Sequence, residues 1–406
     1  MAEPSAGTKR IFYASDGVFD AITSHIREGA GIVVEGDRIV AVGLEREVSS
    51  NATDRVQLRG YIVPGFVDSH THITVRPGEG GQHEQLAGPP IWQALRGVKN
   101  LQEMLASGVT LARIMTENNG IDVEFREAIA RGDIVGPELR VSREGLTPPG
   151  GHSSSSAGVS GIGPLRDIVR KRAEAGADHI KVFATGGVSS SNGSLEAVAY
   201  SADELTAIVD EARAANLTVS AHAQAGPGIG LAVAAGVHSI EHGSMINEET
   251  AEEMGHRGTW LVLTSSILFH PSAIEMGDGH DPAIMTKLRA ARTAAANAAL
   301  YIQKYGVRVA IGTDSMHGLI GFEMQWMVEN GWTPAEALLA ATRSGAELMG
   351  VPGVGVLKPG SRANFVVLAS NPIEDIAAVC DVVRVYLDGA MAYERKPSLA
   401  RSKVRS

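Results

Sequence analysis

A single cysteine, Cys380, stands in a chain of 406 residues. An internal disulfide and a cysteine-based zinc cluster are both excluded, so any metal ion must be held by His, Asp, Glu or a less usual ligand. Cys380 itself reads as a small buried apolar residue. The chain has no dense Lys/Arg run before the short tail RKPSLARSKVRS, which reads as a solvated end, and its formal charge of -10 disfavours a nucleic-acid or anionic-membrane surface. No window approaches the roughly 18 to 20 continuous apolar residues that cross a bilayer. The N-terminal MAEPSAGTKRIFYASDG lacks the apolar core of a signal peptide. These absences lead us to expect a cytoplasmic protein whose partner is a small-molecule substrate, with no nucleic acid and no membrane. What is present is ordinary for a globular chain, 44% hydrophobic and 20% charged residues, with length for one large domain and a smaller one.

The two ends are rich in short strand patterns. GIVVEGDRIVAVG reads as a hairpin around Glu35-Gly36-Asp37, and GVGVLKPGSRANFVVLAS and DVVRVYLDGAMAY repeat the pattern near the C-terminus. One small β-sandwich-like domain built from residues 1–65 and 346–406 would explain both. Between them, residues 66–345 alternate apolar runs with amphipathic helical stretches. The runs fall at Tyr61 to Val67, Val109 to Met115, Glu138 to Ser142, Ala177 to Phe183, Leu217 to Ala221, Val237 to Ile240, Thr259 to Leu263 and Val307 to Ile311. Helices are predicted in PLRDIVRKRAEAG and in SADELTAIVDEARAAN, where Ser201 and Glu204 have capping-box spacing. This alternation predicts an α/β fold, a distorted (β/α)8 TIM barrel, which typically needs about 250 residues.

Barrel enzymes carry their chemistry at the C-terminal ends of the strands. In FVDSHTH the side chains of His70 and His72, two apart on a strand, point the same way and converge. Lys181 lies in HIKVF on the fourth run, His222 ends VSAH, His242 ends SIEH and Asp314 ends AIGTD. Ligand-type residues at so many separate strand ends point to a metal site.

The pieces PGFVDSHTH, GVTLAR, GGH at 150–152, GADHIKVFATGG, AHAQ, AGVHSIEHG, IGTDS, GWTPAEALLAATRSGAELMGV and VGVLKPGSRANFVVLASNPIEDI together resemble the amidohydrolase superfamily over nearly the whole chain. The likeness is greatest to its imidazolonepropionase-related and prolidase-like branch of binuclear metal-dependent hydrolases. The resemblance implies two divalent metal ions, with zinc expected. His70 and His72 would bind the more buried ion with Asp314, and His222 and His242 the second. Lys181 would bridge both as a carbamate formed with carbon dioxide, a role that suits a buried amine made to lose its proton beside two cations. A metal-bridging hydroxide would attack a carbonyl carbon, Asp314 would shuttle the proton to the leaving nitrogen, and His152 would stabilise the oxyanion. The implied reaction is hydrolysis of a C-N bond in an amide, an N-acyl amino acid, a dipeptide-like compound or a carbamate. Alternatives are ester, lactone or phosphotriester hydrolysis at the same site, or deamination. Homo-oligomers are frequent in the family, so one is expected here.

Departures from the family pattern fall in the loops. Gln224 stands where peptidase-like members commonly carry tyrosine or histidine, Arg113 is kept while Ile114 replaces an aspartate, and His317 follows Asp314 in a short eighth loop. Gln224, His317 and His152 are therefore candidate substrate contacts. Metal-bound imidazoles usually donate their other N-H to a carboxylate or a carbonyl, and Asp68 or Glu241 could serve, but each adjoins a proposed ligand and, by strand alternation, is expected to face away without touching it. The first loop, TVRPGEGGQHEQLAGPP, reads as an aperiodic lid, and the 264–283 region, with His270 and His280, as a second long loop.

Overall fold

The computed structural model describes residues 9–152 and 158–396, so the beginning of the N-terminal segment and the basic tail from 397 onward lie outside the described residues. The central apolar runs form strands Phe66–Thr71, Val109–Ile114, Glu138–Arg140, His179–Phe183, Thr218–Ala223, Ser239–His242, Trp260–Leu263 and Val309–Ile311. Most of their residues are buried on both faces, as parallel strands covered by helices must be. The first three form one parallel sheet and the remaining five another, each in sequential order.

Hydrogen bonds join the edges of these two sheets. Between the third and fourth strands, Asp178 N-H donates to Val141 O at 2.7 Å, and Leu146 N-H to Lys181 O at 2.8 Å. Between the eighth and first strands, Asp314 N-H donates to His70 O at 2.8 Å. Close approach at that second seam requires Gly312, where an added Cβ would lie 2.4 Å from His70 N. Asp68 fastens the same seam, accepting from Thr313 N-H at 3.0 Å and from its hydroxyl at 2.6 Å. A helix follows every strand, from Pro90–Ala106 after the first to Ile320–Glu329 after the eighth. Helix Ala202–Ala214 starts at the expected capping box, with Ser201 Oγ accepting from Glu204 N-H and Glu204 Oε2 accepting from Ser201 N-H.

Both ends of the chain meet in one six-stranded sheet, where Tyr61–Pro64 pairs antiparallel with Phe365–Leu368. A four-stranded sheet, containing the expected hairpin Ala30–Glu35 and Arg38–Leu44, packs on it through Tyr13, Ile32, Ile62, Phe365 and Tyr386. Two details differ from the pattern read in the sequence. The run Tyr61 to Val67 is two strands, because the chain passes from one sheet to the other at Gly65, where a Cβ would lie 2.1 Å from Thr110 Oγ1. The boundary expected after residue 345 falls inside helix Arg343–Leu348, and Val351 and Val354 beyond it pack on Val67 and Leu111 of the central strands.

Cys380 is exposed, contrary to the expectation of burial. It closes the turn Ile376–Cys380, which buries Ala378 and Val379 instead. The first loop is also more ordered than an aperiodic lid. It contains the short helix Gln82–Ala87, and Gln85 in that helix accepts from Arg76 N-H and donates to Arg76 O, each at 2.9 Å.

Candidate active site

The C-terminal ends of the central strands converge on a cavity lined by His70, His72, Lys181, His222, His242 and Asp314. One ligand atom from each of His70, His72 and Asp314 lies within 4.8 Å of the others. His70 Nε2 and His72 Nε2 approach Asp314 Oδ1 at 3.5 Å and 3.3 Å. The His242 ring lies 4.6 Å from that of His70 and 4.7 Å from that of His222, centroid to centroid. Backbone geometry helps to gather these groups, because His242 and Asp314 both have left-handed φ, 70° and 46°. A left-handed residue at a strand end breaks the alternation of faces and is a strained conformation typical of functional sites.

The hydrogen bonds of each imidazole fix which nitrogen is left for a cation. His70 Nδ1-H donates to Glu241 Oε2 at 2.7 Å, and His70 Nε2 is buried with no hydrogen-bond partner among the described residues. His72 Nδ1-H donates to Thr116 O at 3.1 Å, leaving Nε2 toward Asp314. His222 Nε2-H donates to Gly186 O at 3.2 Å, and His242 Nδ1 meets Thr264 Oγ1 at 2.7 Å. Burial holds the pKa of His222 and of His242 well below the usual imidazole value, so both rings are neutral and have lone pairs to offer. Burial alone would raise Asp314, but the adjoining His70 and His72 rings hold it well below the usual carboxylate range.

Lys181 is 2% exposed and has no salt-bridge partner among the described residues; its Nζ lies 5.2 Å from the centre of the Phe183 ring. Burial lowers its pKa to about 8, against Glu241 and Asp314, which raise it. An amine so placed loses its proton readily. The orphaned Nε2 of His70, the neutral imidazoles, the ionised Asp314 and this unpaired lysine are a donor set that fits divalent cations.

Glu241 corrects the strand-alternation argument, because it touches a proposed ligand directly through its bond to His70. The turn at His242 lets consecutive residues serve the same site: His242 lines the cavity, while Glu241 reaches beneath it to the first strand. Arg113 holds the other carboxylate oxygen at 2.8 Å, and this pair is fully buried. Burial alone would raise the Glu241 pKa, yet Arg113 and His70 hold it far below the usual range. Outer groups of this kind orient metal-binding imidazoles. Glu241→Gln is accordingly expected to weaken the affinity of this site for a divalent metal ion by about 10- to 100-fold in a chelator competition. It also leaves Arg113 buried without its counter-ion, so the thermal midpoint should fall. Asp68 behaves differently, accepting the His70 backbone N-H at 3.2 Å and fastening Thr313 rather than a ligand ring.

Of the expected substrate contacts, His152 and Gln224 line the cavity. The His152 ring lies tilted 4.7 Å from that of His222, centroid to centroid, in a space kept open by Gly187, whose added Cβ would lie 2.2 Å from His152 Nε2. Gln224 is buried, its N-H donating to Thr185 Oγ1 at 2.9 Å. His317 does not line this cavity. Its Nε2 faces Val75 O at 3.2 Å behind the first loop, because the eighth loop turns away from the site after Asp314. His280 is exposed and His270 packs edge-on against Phe322, so neither reaches the cavity, and the His83 side chain lies outside the described residues. Sequence reasoning missed the apolar wall and Gln82, both contributed by short helices within segments read as loops.

Comparisons with known proteins agree with this geometry. A model of the amidohydrolase family matches residues 61–392. The chain is 32% identical over 390 residues to an ochratoxinase of Aspergillus niger, covering 86% of this chain and 78% of that protein. It is 26% identical over 386 residues to an imidazolonepropionase of Paracoccus denitrificans, covering 84% and 88%. A crystal structure of a Xaa-Pro dipeptidase with bound methionine in its active site superposes with a TM-score of 0.87 at 26% identity, covering 95% of this chain and 100% of that one. With most of its length matched and its ligand-type residues gathered at the strand ends, the chain belongs to the amidohydrolase family.

Proposed function

We propose that this protein is a binuclear metal-dependent hydrolase that cleaves a C-N bond in an amide, an N-acyl amino acid or a carbamate. The observation that carries the reading is the convergence of His70, His72, Lys181, His222, His242 and Asp314, from five separate strands, on one cavity. The hydrolases among its relatives, named ochratoxinase, imidazolonepropionase and Xaa-Pro dipeptidase, support the C-N bond as the target. The same reading takes the central strands as a distorted (β/α)8 barrel and the sheets of the two chain ends as a small accompanying domain.

His70, His72 and Asp314 would hold one ion, and His222 and His242 the other. Lys181 would serve both after its neutral amine takes up carbon dioxide and releases a proton, which turns Nζ into an anionic carbamate with an oxygen for each ion. Two divalent ions, zinc foremost, supply Lewis acidity that acidifies water and polarises a carbonyl. The protein's own groups do the rest. Asp314, kept ionised by His70 and His72, accepts the proton of the attacking water and later gives it to the leaving nitrogen. His152, across the cavity, donates to the oxygen on which charge develops. Glu241 and Arg113 keep the His70 ring aimed.

The test is mass spectrometry of the zinc- and bicarbonate-supplemented protein with N-acyl amino acids, dipeptides, aryl carbamates, ureas, lactones and aminopurines. Cleavage confined to acyl-nitrogen bonds is expected. Turnover only of lactones, or release of ammonia from a purine, contradicts the proposal.

A further inference from the structure

The short helix Gln82–Ala87 presents two residues one turn apart, Gln82 and Leu86, to the cavity. Gln82 Nε2 is buried and meets no hydrogen-bond partner among the described residues. A buried donor without an acceptor is destabilising and uncommon, and this one lies at the cavity, where an oxygen of a bound molecule can satisfy it. The helix is fastened in place. Gln85 donates to Arg76 O and Gly80 O at 2.9 Å and 3.0 Å, and Gln93 and Asn118 donate to Leu86 O at 2.6 Å and 2.7 Å. Gln82 is therefore held at the cavity by its surroundings.

Gln224 is a second carboxamide in the same cavity. Its Oε1 already accepts the Ser244 hydroxyl, which leaves the Nε2 hydrogens as its free donor capacity. The neighbouring wall is apolar, formed by Val75, Leu86, Val188, Ile267, Leu268 and Ile274. Among the described lining residues no arginine is present, and the one lysine, Lys181, belongs to the ligand set. An apolar wall with neutral amide donors suits a carbonyl oxygen. A free carboxylate placed there would be desolvated without the charge-assisted partner that such burial requires.

We infer that Gln82, together with Gln224, determines specificity by donating to an uncharged oxygen of the substrate. The preferred substrate is then an N-acyl compound with an apolar side group whose non-reacting end is a neutral amide rather than a free acid. This rests on the C-N hydrolase reading and adds to it a residue and a substrate class.

The test compares N-acetyl-phenylalanine N-methylamide with N-acetyl-phenylalanine, following the acetyl-nitrogen bond by mass spectrometry, in the wild type, Gln82→Ala and Gln82→Arg. The wild type should favour the neutral compound by about tenfold or more in kcat/KM, the size of one lost hydrogen bond to a polar partner. Gln82→Ala should remove most of that preference, chiefly through KM, with metal content unchanged. Gln82→Arg should shift the preference toward the acid, a gain that misfolding cannot produce. A wild type that prefers the acid, or a Gln82→Ala variant that loses both activities equally, overturns the inference. If neither compound is cleaved while phenyl acetate is, the C-N reading fails by itself. The pair is then measured as inhibitors of phenyl acetate hydrolysis, where tighter, Gln82-dependent binding of the neutral compound is expected and tighter binding of the acid overturns the inference.

Discussion

Asp314→Asn should lower kcat by about 10²- to 10⁴-fold while KM changes little, the range associated with loss of a positioned proton-transfer group. Asparagine is the informative replacement for two reasons. It keeps the shape of the side chain and an oxygen that can face His70 and His72, so the donor set loses charge but not form. It is also among the few non-glycine residues at ease with positive φ, and Asp314 sits at φ 46° between the strand Val309–Ile311 and the turn that follows. A collapse of the backbone is therefore not expected to explain the loss. An amide oxygen cannot take up the proton that the carboxylate would carry to the leaving nitrogen. Steady-state kinetics with metal analysis of the same sample checks the prediction; activity within tenfold of wild type, with the metals retained, would remove Asp314 from the proton path.

Lys181→Ala should lower activity by about 10³-fold and reduce bound metal from two ions per chain toward one, since the methyl group offers no oxygen to either site. The structural grounds are the burial of the side chain and the lack of a salt-bridge partner among the described residues. Lys181 has backbone hydrogen bonding on the edge that joins the fourth strand to Leu146, which the substitution leaves intact. In the wild type the same chemistry predicts a dependence on carbon dioxide. Protein stripped of metal and kept free of bicarbonate should recover activity poorly with zinc alone and fully when bicarbonate is added. Full activity and two metals in the alanine variant would refute the carbamate.

The metal-type residues were legible because strand geometry is regular. A period of two sets His70 and His72 on one side, and the ends of separate apolar runs mark where Lys181, His222, His242 and Asp314 must gather once the strands lie parallel. The same regularity misled at Glu241. Alternation predicts that it faces away from His242's site, but the left-handed turn at His242 ends the alternation, and the partner of Glu241 is His70, 171 residues away. Nothing local in SIEHG shows that contact. Arg113 was visible as a feature of the resemblance, but its buried bond to Glu241 crosses from the second strand to the sixth and becomes visible only in three dimensions.

Loops were the least legible part. His317 stands three residues after Asp314, yet the turn between them carries it behind the first loop to the Val75 carbonyl. Gln82 and Leu86 lie in a glycine-rich stretch without a long apolar period, and a helix of six residues is too short to show one. Its i, i+4 spacing was the available signal. Tyr61 to Val67 looked like one strand because both of its halves are apolar; what divides them is the close approach of Gly65 to Thr110, a tertiary contact.

The most direct test of a binuclear hydrolase is a zinc titration of metal-free protein in bicarbonate buffer, following hydrolysis of the best amide from the substrate panel. The account predicts that activity rises until two equivalents per chain are bound and then levels off. Full activity at one equivalent, or activity that persists without metal, would contradict it.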